Sequence, residues 1–145
     1  STLFPTRRSS DLIFIVFPVA FLCALPFVDW LYLATQNACW AQTALWLAGA
    51  GFTLGITAAV FGLIDYTTIP RARAHASGWM HALGNVVAMV ITLINWILRV
   101  DNPVTAIWPT GLTLSIVVAV LLGITGWFGG ELAYRYAIGV AGTSA

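Results

Sequence analysis

Apolar residues fill four long stretches of the chain, about Leu12–Ala34, Trp40–Ile64, Gly78–Leu98 and Gly111–Ala133. Each is close to the roughly 20 apolar residues that a helix needs to cross a bilayer. Between the second and third lies a polar loop, Asp65 to Ser77, with Pro70, Arg71 and Arg73; between the third and fourth runs a connection from Arg99 to Thr110. Within that connection Asp101-Asn102-Pro103 and Trp108-Pro109 read as turns. Pro18 and Pro26 fall inside the first stretch and are expected to kink it. No linker is long enough to divide the chain. Residues 13–140 are therefore expected to form a single domain, all-α, an integral membrane four-helix bundle, with 141–145 as a C-terminal tail. Residues 1–12, STLFPTRRSSDL, are polar up to an abrupt switch at Ile13. They resemble a translated sequencing adapter and are expected to be a non-native segment.

Finer periodicities assign faces to these helices. In the second stretch Ala44, Ala48, Gly51, Gly55, Ala58, Gly62 and Asp65 recur at steps of four and three. The fourth repeats the device with Ala119, Gly123, Gly126, Gly130 and Ala133. Helices in lipid associate by close backbone approach over small residues, so both stripes are expected to be packing seams. The third stretch carries a polar stripe in the same rhythm: His81, Asn85, Ala88, Thr92, Asn95 and Arg99. Polar groups facing hydrocarbon are costly, so this face must turn into the bundle or toward a partner subunit. Interhelical hydrogen bonding, worth about 0.6 kcal/mol per contact, is the plainer expectation for it; a lined path or a ligand site is the sharper one.

Composition places the chain in lipid. Hydrophobic residues make up 60% and charged residues 8%, against about a quarter charged in soluble domains; mean hydropathy is +0.92. A net charge of +1 offers nothing to nucleic acid, and every basic residue is Arg. Cys23 and Cys39 form no metal-ligand spacing and are expected to be buried, unpaired thiols. With four spans, Arg71, Arg73 and Arg135 share one side and Arg99 stands on the other. The positive-inside rule then places both termini in the cytoplasm.

Ionisable residues gather toward that cytoplasmic boundary. Asp65 ends the second span, His81 lies about one turn into the third, and Glu131 and Arg135 close the fourth, four residues apart and able to pair. Together with Asn85 these form the candidate polar site. On the opposite side Asp29 and Arg99 stand at comparable depth and are expected to pair across helices. No GxSxG, phosphate-binding loop or Cys/His zinc cluster occurs. Ser77 and His81 are one turn apart, but nothing visible orients the imidazole as a base.

Two stretches, GLIDYTTIPRARAHASGWMHALGN from Gly62 and GWFGGELAYRYAIGV from Gly126, resemble an uncharacterised bacterial membrane family catalogued as domain of unknown function 2231. The resemblance covers Ile13 to Val140 and implies a four-helix membrane protein with no activity to carry over. It also implies a His-Pro pair where this chain has Asp11-Leu12, and a Tyr-Arg-His-Gly ending where it has Tyr134-Arg135-Tyr136-Ala137. Of the family's histidines only the match to His81 remains. Three functions follow. The first is a bundle subunit or partner-binding element, as a homodimer or with another membrane subunit. The second is an electron-transfer module holding haem b, motivated by the family's histidines and the small residues. His75 and His81, six apart and about 240° around a helix, cannot clamp one haem. The third is a small transporter or proton path along the third-span stripe.

Overall fold

A computed structural model describes residues 6–68 and 76–134, with side chains described over 15–64 and 78–131. The protein is all-helical. Helix α1 (Thr6–Thr35) runs unbroken through Pro18 and Pro26 and turns at Gln36 and Asn37 into α2 (Ala38–Thr68). Gln36 adopts a left-handed φ of 53°, and its N–H bonds back to the Tyr32 carbonyl, closing the first helix. Asn37 opens the second by accepting from the Cys39 N–H through its side chain. Helix α3 spans Ala76–Asp101. A short helix, α4 (Pro103–Ala106), is capped by the Asn102 side chain, which accepts from the Val104 and Thr105 N–H groups. The chain is extended at Trp108 (φ −114°, ψ 134°) before α5 (Leu112–Tyr134).

Four of these helices carry segments long and apolar enough to cross a membrane: Ile15–Thr35, Ala38–Ile64, Gly78–Asp101 and Pro103–Glu131. They pack in a ring, α1 on α2, α2 on α3, α3 on α5 and α5 on α1. Each turns inward a line of residues at steps of four and three. Pro18, Leu22, Leu25 and Asp29 do so on α1, and Ala41, Ala44, Ala48 and Gly51 on α2. Leu25, Val28, Ala44 and Ala48 form the apolar centre, with Trp40, Leu47 and Trp96 packed against it. The outer surface is crowded with large apolar side chains such as Phe27, Trp46, Leu63, Leu83 and Trp127. Such a surface is stable against hydrocarbon and unstable against water.

Three expectations are corrected. Arg99 does not open the third connection; α3 continues two residues past it, and the side chain is buried. Cys23 and Cys39 are free but exposed rather than buried, because the inward line of α1 falls on Leu22 and Leu25 and leaves Cys23 outside it. Among the described residues no neighbour meets the glycines of the fourth-span seam. A Cβ at Gly123, Gly126 or Gly130 would meet nothing within 4 Å, and the same holds for Gly62 near the end of α2. The inward line of α5 is instead Gly111, Ser115, Val118 and Thr125. It is turned by one position, about 100°, from the glycine stripe. By contrast Gly51 and Gly55 are close-approach positions: the Leu22 side chain sits on the first and the Met89 thioether on the second.

Candidate functional site

The polar stripe of α3 lies on its inward face, and it resolves into two clusters. At the end that carries the α1–α2 turn, Arg99 and Asp29 are both fully buried, at 0% exposure. The guanidinium meets the carboxylate in a fork, Nη1 to Oδ1 at 2.7 Å and Nη2 to Oδ2 at 2.8 Å. Arg99 Nε donates to Asn95 Oδ1 at 2.9 Å, one helical turn back, and Nη2 also donates to Ser115 Oγ at 3.1 Å. Ser115 Oγ accepts from Asn95 Nδ2 at 3.0 Å. Its single proton has two acceptors in reach, Asp29 Oδ2 at 2.7 Å and the Gly111 carbonyl at 2.8 Å; the charged carboxylate is the stronger. A hydroxyl that accepts two bonds and donates one is saturated.

Sequence makes this possible at three points. Asp29 stands on the inward line of α1, about 9 Å of helix short of Thr35. Ser115 is small enough to let α5 approach the pair. Gly111 clears the space: a Cβ there would lie 2.5 Å from the Ala106 carbonyl oxygen and 2.8 Å from Arg99 Nη2. Energetically the cluster closes on itself. A lone charge in the bilayer interior costs about 3 kcal/mol on insertion scales. Pairing with a fork and filling the remaining hydrogen bonds offsets that cost, whereas removing one partner leaves the other exposed to it.

The second cluster lies toward the opposite end, between α3 and α5. His81 Nδ1 is 2.8 Å from the Thr125 carbonyl oxygen, and His81 Nε2 is 3.1 Å from Asn85 Nδ2. A carbonyl only accepts, so Nδ1 carries the proton and Nε2 accepts from the amide. The Thr125 hydroxyl completes a ring by donating to Asn85 Oδ1 at 3.1 Å. Small residues again admit the contact. The His81 ring lies 3.0 Å from where a Cβ of Gly129 would stand, and the Thr125 side chain occupies the Cβ position of Gly84.

Between the clusters, Thr92 is buried and its hydroxyl is bound to the Ala88 carbonyl of its own helix at 2.8 Å. Asn85 and Asn95 are about 15 Å apart along α3, and the fully buried residues of α3 in that interval are Ala88 and Thr92.

The remaining predicted residues fall mostly outside the described side chains. Asp65 belongs to α2, but its side chain lies outside the described residues, as do Arg135, His75, Arg71 and Arg73. The expected pairing of Glu131 with Arg135 falls outside them too; Glu131 is half-buried and has an interaction of its own. The expected Asp29–Arg99 pair is formed. Sequence reasoning missed Ser115 and Thr125. Their signal was faint: lone hydroxyls in an apolar helix, placed with Gly111 and Gly129 at helical spacing.

Among the described residues no pair of axial haem ligands is assembled: the His81 Nε2 lone pair accepts from the Asn85 amide, and Nδ1 donates to the Thr125 carbonyl. Met89 is turned onto Gly55 of α2, and Met80 is exposed. Among the described residues no group of three or more His, Cys, Asp or Glu side chains could hold a metal ion. Beside the clusters, an open apolar groove of about 610 Å³ runs along α2 and α3, lined by Leu45, Trp46, Gly49, Thr53, Trp96 and Val100.

Residues 13–142 match the model of a family described as predicted membrane protein (DUF2231). No curated protein and no solved structure matches the chain.

Proposed function

We propose, for a chain that belongs to the DUF2231 family of predicted membrane proteins, the role of a structural or partner-binding subunit of a membrane assembly. The observation that carries the reading is the mutual hydrogen bonding of the fully buried Asp29–Arg99–Asn95–Ser115 cluster, in which Arg99 donates once to Asn95, twice to Asp29 and once to Ser115. A path for ions or protons needs polar groups that exchange bonds with what passes. Here the fully buried groups spend their bonds on one another, and Thr92 spends its own on its helix backbone. The polar residues of α3 thus serve to hold α1, α3 and α5 in register, and the surface left for recognition is apolar. Cytoplasmic termini, as the arginine distribution suggests, belong to the same proposal.

The test is reconstitution of the full chain in liposomes with an entrapped pH-sensitive dye, run beside a reduced-minus-oxidised visible spectrum. The subunit reading expects no proton flux above protein-free vesicles under an imposed potential, and a flat difference spectrum. Flux that disappears in Asn95→Ala, or a haem band that disappears in His81→Ala, overturns it.

A further inference from the structure

We propose that His81, Asn85 and Thr125 form a proton-accepting latch between α3 and α5, one that takes up a proton at His81 Nε2 by reversing its ring of hydrogen bonds while keeping the two helices joined. Such a latch goes beyond the subunit reading and does not depend on it.

In the neutral ring the bonds run one way. Thr125 Oγ1 donates to Asn85 Oδ1, Asn85 Nδ2 donates to His81 Nε2, and His81 Nδ1 donates to the Thr125 carbonyl. Protonation of Nε2 turns that nitrogen from acceptor to donor, which sets it against the Asn85 amide nitrogen. In most buried sites this would break the contact. Here the obstacle is removed by a half-turn of the Asn85 amide about its last bond, which exchanges oxygen and nitrogen with almost no change of shape. His81 Nε2–H then donates to Asn85 Oδ1, and Asn85 Nδ2 donates to Thr125 Oγ1. The Thr125 hydroxyl proton needs a new acceptor, and one is already in reach: the Leu122 carbonyl, 3.3 Å away. The Nδ1 bond to the Thr125 carbonyl is unchanged throughout. Every group in the ring is therefore bonded in both states, and this double satisfaction points to a device that changes charge rather than to simple cross-helix bonding. One amide and one hydroxyl are the residue types that can reverse; a carboxylate or an aliphatic side chain at either position could not.

His81 is placed to exchange its proton. It is half-buried, not sealed, and is the fourth residue of a span that begins at Gly78. Among the described residues the charged surroundings are sparse; Asp65, Arg71, Arg73, His75 and Arg135, which the sequence sets toward the same boundary, lie outside them. On α5, Glu131 lies two residues beyond Gly129, on which the ring rests. On α3, Arg99 and Asp101 stand at the other end of the helix. Among the described side chains of α1 and α2, Asp29 is held by Arg99, Cys23 and Cys39 are exposed, and Tyr32 belongs to the α1–α2 turn end.

The experiment is ¹⁵N magnetic resonance of histidine-labelled full chain in lipid nanodiscs, carried out in a His75→Gln background so that the one imidazole observed is His81. Spectra are taken at about pH 8 and pH 5, the limits of imidazole titration, with thermal unfolding followed at both. The expected result is an Nδ1–H tautomer at the higher pH and a doubly protonated ring at the lower. The unfolding midpoint should change on acidification by no more than the other titrating groups of the chain impose. In Asn85→Leu, which offers Nε2–H no acceptor, the midpoint should drop by several degrees more between the same two pH values. An Nε2–H tautomer at pH 8, a ring still neutral in folded protein at pH 5, or equal pH sensitivity with and without Asn85 each overturns the proposal. If Asn85→Leu does not fold, the two ring states of the parent chain decide alone.

Discussion

Glycine shows how little a residue's identity says about its work until its neighbours are known. Gly111 and Gly123 stand twelve residues apart near and within one helix, and the sequence favours Gly123, a member of the small-residue stripe, as the packing position. In the structure a methyl at Gly111 would collide with the Ala106 carbonyl and crowd the Arg99 guanidinium, while a methyl at Gly123 meets nothing within 4 Å. Gly111→Ala is expected to cost about 1–3 kcal/mol by overpacking. Gly123→Ala is expected to be neutral or slightly stabilising, since alanine is the better helix former. Thermal unfolding of the two variants in the same detergent checks the ranking; an equal loss in both would mean that Gly123 also faces a close neighbour in the folded protein. The same scale explains the histidine. His81 was legible as a polar residue in an apolar span, but its tautomer came from the carbonyl of Thr125, forty-four residues away, while its Nε2 lone pair is met by Asn85 on its own helix.

Helices α1, α3 and α5 meet at one ion pair, and this is where the elements are most tightly specified. Arg99 alone bridges α3 to both others, reaching Asp29 on α1 and Ser115 on α5. Loss of one charge strands the other in a dry site, so Arg99→Met is expected to destabilise the bundle by about 3–5 kcal/mol. Adding Asp29→Leu should recover a substantial part of that loss, because the pair and its desolvation then vanish together. Unfolding free energies of the two single variants and the double variant measure the coupling; a double variant as damaged as the sum of the singles would show that the pair is not the tie between α1 and α3. Helix α2 contributes differently. Its inward face is alanine and glycine, and it is held by Leu22 on Gly51, Met89 on Gly55 and Trp96 on Gly49. Its side-chain hydrogen bonds among the described residues return to its own turn of chain. Polar bonding and close approach thus divide the bundle, the first joining α3 to α1 and α5, the second seating α2.

For the whole molecule the decisive variable is which parts meet water and which meet lipid. Trp127 is 78% exposed and Trp46 70%, values that only an apolar surrounding makes comfortable. The two cysteines report on this directly, since both are exposed but at different depths. Cys39 opens α2 beside the α1–α2 turn, whereas Cys23 lies mid-span, about 18 Å of helix from Thr35. Cys39 is expected to react with a water-soluble maleimide and Cys23 only with a lipid-permeant one. In sealed right-side-out vesicles, reaction of Cys39 from outside fits cytoplasmic termini; protection there together with reaction in inverted vesicles reverses the orientation. Rapid reaction of Cys23 with the water-soluble reagent would remove the first span from the membrane.

Four spans, their boundaries within a few residues and the inward polar face of α3 were all legible in the sequence. Length and apolarity are properties of a segment, and a polar stripe in lipid has only one direction to turn. The Asp29–Arg99 pair was legible as well, because two opposite charges at equal depth have few alternatives to each other. The rest needed the tertiary structure. Helix α5 is apolar all round, so two small-residue faces compete and periodicity cannot choose between them. What decides is where Ser115 and Thr125 find partners on other helices, and that depends on the relative rotation of whole elements. Rotation is a property of pairs of helices, which is why the exposed cysteines, the open glycine face and the mutual bonding within both polar clusters appear only once all four are packed.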